Sequence, residues 1–427
     1  MTEPRLGLRP NAAQFSILVA ITLFVGGMVG LERSTLPLVG ESEFGLGSTV
    51  AVLSFIASFG AAKALTNLAA GPLAARAGRK RLLVAGWIVA VPVPILILDA
   101  PSWAWVVGAN ALLGLNQGLT WSMAVVMKVD LAGPRRRGLA LGLNEAAGYG
   151  GVAIGAAVAG IAAAELAPRD VIAVGGLTVA LTALLASLLL VRDTAGHVAA
   201  EQGTPRELLG LRASFRRVTI ADRTLRSCSQ AGFVNNLNDG LMWGIGPLFL
   251  AAHGAGYGEI GLVAGLYPAV WGVGQIATGW LSDEVGRKAP IVAGMLLQAA
   301  ALVLLATSGG AVAIAACAAV LLGIGTALVY PTLLATISDR VEPVDRPTSL
   351  GVYRFWRDTG YVAGAIVAGT VAEAWGLPAA IAVVAGLTAL SGLVVALEMG
   401  DVGDRGRVGA DEQALTGGRA SAAAASK

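Results

Sequence analysis

Long apolar runs separated by short polar segments dominate this chain. A helix needs about 20 mainly apolar residues to cross a bilayer, and twelve runs of that kind follow one another along the sequence. They lie at about 14–39, 48–70, 82–98, 103–127, 139–164, 171–191, 229–250, 258–281, 290–307, 311–336, 349–372 and 378–398. The pattern predicts an all-α integral membrane protein with twelve transmembrane helices.

The polar segments between these runs suggest the domain boundaries. A longer one at 192–228 separates the first six spans from the last six, which predicts an N-terminal half at 1–191, a cytoplasmic linker, and a C-terminal half at 229–398. The final segment, 399–427, is rich in Gly and Ala without a sizeable apolar face, so we expect a disordered cytoplasmic tail. The first run is too long for the apolar core of a signal peptide, and we expect a retained helix.

Composition and charge agree with a membrane protein and give its orientation. The chain is 56% hydrophobic and 13% charged, whereas soluble domains average about 25% charged residues. Of the 30 Lys and Arg residues, 25 fall in the termini and in alternate loops, while the other loops hold only Arg169. Positive residues mark the cytoplasmic side. This predicts a multi-pass protein of the cell membrane with both termini cytoplasmic.

A repeat relates the two halves. The loop after the second span reads GPLAARAGRK at 71–80, and the loop after the eighth reads GWLSDEVGRK at 279–288. LLGLNQGLTW at 112–121 likewise aligns with LLGIGTALVY at 321–330. Six spans are therefore repeated in two pseudo-symmetric halves. Parallel repeats of this kind enclose a cavity near the membrane midplane.

Over about 14–398 the chain resembles the major facilitator superfamily, whose loop motif runs Gly-x-Leu-(Ala/Ser)-Asp-Arg-x-Gly-Arg-(Lys/Arg). The motif positions that we carry over as candidates are Gly71, Arg76, Gly78, Arg79, Gly279, Asp283, Gly286 and Arg287. The resemblance implies that Asp283 meets the N-terminus of helix 5, where the helix dipole stabilises a carboxylate. Ala75 takes the place of that acid in the first copy. Alternatively, the basic cluster serves only as a topology signal.

Ionisable residues inside the predicted spans form the second candidate set. A charge at mid-helix costs about 2.5–3.5 kcal/mol unless it is paired or hydrated, and the eight charges sum to zero, which favours pairing. We expect gate or interface roles for Lys63, Glu145, Arg354, Arg357, Asp358 and Tyr361. Lys63 is predicted to pair with Asp358 or to share a network with Glu145. The alternative is a set of fixed ion pairs that only join helices.

A third set consists of residues expected to bind substrate or the coupling proton. The resemblance implies that helices 1, 4, 7 and 10 line the cavity, and the candidates on them are Glu32, Arg33, Asn235, Asn238, Asp239, Trp243 and Tyr330. Asp239 is the favoured coupling group, because burial and neighbouring cations change the proton affinity of a carboxylate in opposite directions. A purely structural role for Asp239 stays open.

These features predict a secondary active transporter that moves a small organic solute by alternating access. In character it is closest to drug or metabolite:proton antiporters, although Gly114 replaces an expected arginine and the helix-5 pattern lacks its proline. Proton-coupled efflux is favoured because the cavity looks apolar with balanced charges. Proton-coupled uptake and a non-transporting sensor are the alternatives. We expect a monomer in the lipid bilayer, and no enzyme activity, metal, cofactor or nucleic-acid partner, because no ATP-binding loop, catalytic constellation or ligand spacing is present.

Overall fold

The computed structural model describes residues 7–132, 137–197, 210–342 and 345–400, and all regular structure within these ranges is helical. Twelve long helical units follow the chain order, and we number them α1 to α12. Their bounds are Ala12–Arg33 continued by Leu36–Ser42 (α1), Thr49–Ala77 (α2), Arg79–Ala90 continued by Pro92–Leu98 (α3), Trp103–Ala132 (α4), Arg137–Ala163 (α5), Pro168–Leu189 (α6), Arg223–Ala252 (α7), Tyr257–Glu284 (α8), Lys288–Ala306 (α9), Val312–Arg340 (α10), Arg346–Trp375 (α11) and Leu377–Glu398 (α12).

The all-α membrane fold is confirmed. Within the described ranges, nine units are long and apolar enough to cross a bilayer. The other three, α4, α7 and α11, are each 30 residues long. They are more polar because they carry many of the buried amide and charged side chains. For these three helices, spanning of the membrane stays a prediction.

Several helices extend beyond their predicted apolar runs. Helix α4 continues to Ala132, so Lys128 lies within it rather than in a loop. Helix α7 begins at Arg223, six residues before the predicted span. The carboxylate of Asp222 caps this start by accepting hydrogen bonds from two backbone N–H groups of the first turn. Residues 198–209 of the predicted linker and 401–427 of the predicted tail lie outside the described residues.

The two sets of six helices, the N-half (α1–α6) and the C-half (α7–α12), meet along two helix pairs. Helix α5 packs against α8, and α2 packs against α11. The α5–α8 crossing is close because glycines face each other: a Cβ placed on Gly261 would lie 2.7 Å from the Cα of Gly160. This approach brings side chains of both halves into one interior, where the charged candidates lie.

Candidate functional site

The eight ionisable residues predicted inside the helices lie in the bundle interior. Seven are buried, and only Arg354 is partly exposed. Lys128 joins them, because α4 is longer than its apolar run and the side chain is fully buried. The predicted set of eight is therefore incomplete. The buried charged side chains of the described residues are Arg33, Lys63, Lys128 and Arg357 on the cationic side, and Glu32, Asp130, Glu145, Asp239, Asp345 and Asp358 on the acidic side.

Two of these cations lie against aromatic faces where the halves meet. The Arg33 guanidinium is 4.6 Å from the ring centroid of Phe59 and 5.4 Å from that of Trp243. The Lys63 ammonium is 5.4 Å from Phe59 and 5.5 Å from Tyr361. Trp243 and Tyr361 stack with their centroids 5.4 Å apart. We call Arg33, Phe59, Lys63, Trp243 and Tyr361 the aromatic cation site. The N-half supplies both cations, and the C-half supplies the stacked pair.

Asp239 lies one turn before Trp243 on α7 and is fully buried. The Tyr267 hydroxyl of α8 donates a short hydrogen bond to its Oδ1 atom. Tyr267 is itself held by Thr326 of α10 at 3.2 Å. The second oxygen, Oδ2, has no hydrogen-bond partner among the described residues. A buried carboxylate with one oxygen held and one free has a site to accept a proton or a solute donor.

Asp358 is held by its neighbours in a way that the sequence did not predict. Arg357 forms an ion pair with it at 2.6 Å, and the amide of Asn67 on α2 donates a short hydrogen bond across the interface. Arg357 also donates to the hydroxyl of Tyr330. The predicted direct pair of Lys63 with Asp358 is therefore not formed in this conformation. The Asp358 carboxylate pairs with the guanidinium of the adjacent Arg357, and the Lys63 ammonium lies against the rings of Phe59 and Tyr361.

Glu145 and Lys128 belong to one polar chain inside the N-half. Glu145 accepts hydrogen bonds from the Trp121 indole at 3.2 Å and the Asn144 amide at 2.9 Å. Asn144 lies 3.4 Å from the Thr22 hydroxyl, to which the Lys128 ammonium also donates. Since Trp121 is 5.3 Å from the Lys63 ammonium, the predicted link between Lys63 and Glu145 runs through a shared tryptophan.

The described hydrogen bonds of Asn235 and Asn238 run to neighbouring helices of the C-half, and their selection as substrate candidates stays a prediction. The Asn238 amide donates to Gln298 of α9 at 2.6 Å, and Gln298 donates in turn to Asn235 at 3.0 Å. Thr388 of α12 also donates to Asn238 at 2.7 Å. These contacts place both asparagines against α9, and Asn238 also against α12, within the C-half, whereas Asp239 accepts from Tyr267 of α8.

The described contacts between the halves favour one side of the bundle. At the side predicted to be outer, the carboxylate of Glu373, near the end of α11, accepts hydrogen bonds from the Ser48 hydroxyl and from the Val50 N–H at 3.1 Å. At mid-depth, Tyr149 of α5 stacks on Trp271 of α8, with their ring centroids 3.4 Å apart. Among described residues, the hydrogen bonds, ring contacts and glycine contacts between the halves extend no further inward than Ala146 and Asn67.

At the predicted inner side, the glycines of the interface helices face open space. A Cβ built on Gly71, Gly142, Gly279 or Gly351 would meet no atom within 4 Å outside its own helix. These residues lie on α2, α5, α8 and α11, the same four helices that touch at the outer side. Among the described residues, the contacts between the halves are therefore concentrated at the outer side and at mid-depth.

The loop motifs make their described contacts within their own halves. Arg79 pairs with Asp130 of α4 at 2.8 Å, and Arg287 pairs with Asp339 of α10 at 3.0 Å. Asp283 lies 2.6 Å from Arg287, while Arg76 is exposed. Gly78 and Gly286 both have φ of +84°, a conformation that favours glycine. Part of the N-terminus of α5 lies outside the described residues, so the predicted contact of Asp283 with helix 5 stays a prediction.

Sequence reasoning missed several residues of this interior. Asn67 is four residues after Lys63, so its place on the same face of α2 could have been predicted from helical spacing. Tyr267 and Phe59 gave no such signal, because an aromatic residue in an apolar helix is ordinarily core. Lys128 was missed because it follows the last apolar residue of its run.

Comparison with known proteins bears directly on this architecture. The model of the Major Facilitator Superfamily matches residues 13–226 and 228–421. An uncharacterized MFS-type transporter of Burkholderia pseudomallei (strain K96243) is 26% identical over 409 residues, which cover 88% of this chain and 90% of that protein. A second, from Bacillus subtilis (strain 168), is 32% identical over 126 residues, or 29% of each chain.

Among solved structures, the human organic anion transporter MFSD10 (TETRAN) is similar in fold. It superimposes with a TM-score of 0.69 over 90% of this chain and 99% of that chain. The sequences share 18% identity, so the likeness extends to the fold alone.

Proposed function

Since this chain belongs to the major facilitator superfamily, and is therefore a secondary transporter rather than a primary pump, we propose that it exports a small organic solute by alternating access coupled to proton entry. The central site would bind the solute, and the two helix pairs α2–α11 and α5–α8 would open alternately at either side. The proposed location is the cell membrane, with both termini in the cytoplasm.

The observation that carries this proposal is the one-sided distribution of the described contacts between the halves. Contacts between the halves run from the outer ends to the level of Asn67 and Ala146. The inner glycines of the same helices face open space. Rocking one half against the other about the central site would close the inner side and open the outer one, which is the motion that repeat-built transporters use.

Proton coupling is proposed for Asp239. Its carboxylate is buried on α7 beside Tyr267 of α8, and one of its oxygens has no partner among the described residues. A group that is dry in one conformation and exposed to water in the other changes its affinity for protons between the two. Aromatic walls from Phe59, Trp243 and Tyr361 suit a solute with an apolar body, which supports export of an amphipathic compound rather than of a sugar-like one.

The test is transport in proteoliposomes that carry a pH gradient. Asp239→Asn should abolish uphill movement of the solute driven by the gradient, while solute exchange without a gradient persists. Asp99→Asn, an exposed residue between α3 and α4, is the matched control and should behave as the natural protein does. A pH-driven gradient that survives Asp239→Asn would rule out Asp239 as the coupling residue.

A further inference from the structure

We propose that Arg33 binds an anionic group of the transported solute, so that the substrate is an amphipathic organic anion. The inference rests on the proposed transport function and names its substrate class. It depends on two features of the described residues: the surroundings of Arg33, and a second cation, Lys63, that lies against the same ring of Phe59.

Arg33 is a fully buried arginine without a hydrogen-bond acceptor. Its side chain has no exposed surface, and none of its three guanidinium nitrogens has a hydrogen-bond partner among the described residues. The carboxylate of neighbouring Glu32 does not accept from it, and Glu32 Oε2 also has no hydrogen-bond partner among the described residues. A guanidinium carries five N–H donors, and buried polar groups in proteins are normally satisfied. An acceptor from outside the chain would complete the site.

The surroundings restrict what that acceptor can be. Arg33 lies among the rings of Phe55, Phe59 and Trp243, at 5.2, 4.6 and 5.4 Å. Ring faces attract a cation but supply no lone pairs to its N–H groups. The planar fork of a guanidinium matches a carboxylate or phosphate with two parallel hydrogen bonds. The rings beside it would pack against the apolar body attached to that anion.

Lys63 provides a second positive charge beside one of these rings, that of Phe59. Its ammonium lies 5.4 Å from Phe59 and 5.5 Å from Tyr361, and Phe59 also carries Arg33 on its face. Lys63 makes no ion pair within the described residues, since Asp358 is taken by Arg357. Both cations would raise the local concentration of an anion and orient it at the interface of the halves.

Ligand protection of the purified full-length protein tests the inference with matched probes. Benzoate, benzamide and benzylamine share one ring and differ in charge, and the midpoint of thermal unfolding against probe concentration gives an apparent Kd for each. Benzoate should bind about tenfold or more tightly than benzamide, because charge-assisted hydrogen bonds are the stronger ones. Arg33→Gln should remove this preference. Arg33→Lys, which keeps the charge without the fork, should retain part of it.

Two controls separate binding from folding. Arg226→Gln removes an arginine that pairs with Glu398 at the surface and should leave the benzoate preference intact. Without probe, Arg33→Gln should melt no lower than the natural protein, since it removes a buried cation that has no acceptor. A clear loss of stability would assign Arg33 a structural role and overturn the inference. So would a lack of benzoate protection, equal protection by benzamide, or a benzoate preference that survives Arg33→Gln.

The transport proposal can fail separately. Accessibility of engineered cysteines from each side of the membrane reports alternating access without any solute. A protein that never exposes its central site to the outer side would contradict the proposed function, whereas a benzoate site that depends on Arg33 would still stand.

Discussion

At the crossing of α5 and α8, one added methyl group should shift the equilibrium between the conformation closed at the outer side and the conformation open there. Gly261→Ala would place a Cβ 2.7 Å from the Cα of Gly160 and 2.9 Å from the carbonyl oxygen of Ala156. Carbon atoms pack at about 3.5–4.0 Å, so the two helices must move apart. Both neighbours are backbone atoms, and no side-chain rotation can relieve the overlap.

The size of the effect follows from the cost of overpacking. An extra methylene in a well-packed contact costs about 1–3 kcal/mol. This cost falls on the outer-closed conformation, in which the two glycines touch, and disappears when the outer ends of α5 and α8 separate. The equilibrium should therefore move toward outward opening by about 5- to 150-fold. Gly258→Ala on the same helix meets nothing within 4 Å, so it serves as a control for the helix propensity of alanine.

Distances between spin labels measure this shift. Ala164 and Ala252 are exposed and lie at the outer ends of α5 and α7, one in each half. Gly261→Ala should increase the population with a long distance between labels at these positions, and Gly258→Ala should leave the distribution as it is in the natural protein. An unchanged distribution in a folded Gly261→Ala protein would refute the view that this crossing exists only when the outer side is closed.

Two further predictions concern charges at the α2–α11 interface. Arg357→Met and Asp358→Asn should each lower the unfolding midpoint more than the double variant does, because a buried ion left alone costs about 3–5 kcal/mol; additive losses in thermal melts would contradict the pairing. Glu373→Ala should speed amide hydrogen exchange in the first turn of α2, where the carboxylate accepts from Val50. Glu165→Ala, an exposed glutamate just after the end of α5, should leave that turn unchanged, and equal exchange in both variants would show that Glu373 does not hold it.

Much of the fold could be predicted from two features of the sequence. The length of the apolar runs matches the thickness of a bilayer, and the repeat relates the two sets of six helices. The same reasoning placed helix ends too early, because a helix can continue past its apolar run when its last turns are buried by neighbouring helices. Lys128 shows the consequence. Four residues from the end of α4, it looked like a loop cation, yet its ammonium reaches inward to the Leu18 carbonyl at 3.2 Å. The predicted set of buried charges was incomplete without it.

Within the site, the sequence predicted which helices carry charge better than which residues touch. Asn235, Asn238 and Asp239 appeared to form one stripe, but Asn238 lies about 100° from Asp239 around α7, and it donates to α9 while Asp239 accepts from α8. Which side chains form ion pairs depends on distances between atoms, and the spacing of residues along the sequence does not give those distances. The Asp358 carboxylate pairs with the adjacent Arg357 guanidinium instead of with the Lys63 ammonium.

The contacts of the two loop motifs explain how the first copy can lack its acid. In both copies the motif arginine binds an aspartate at the end of the fourth or tenth helix, Arg79 with Asp130 at 2.8 Å and Arg287 with Asp339 at 3.0 Å. Neither pair involves the motif acid, so the loop remains attached to its own half when alanine replaces it. Asp283 adds a 2.6 Å contact to Arg287 but is otherwise exposed to the open inner side. The acid is therefore dispensable for the fold of each half, and its loss at position 75 leaves the repeat intact while affecting only what a carboxylate there could do between the halves.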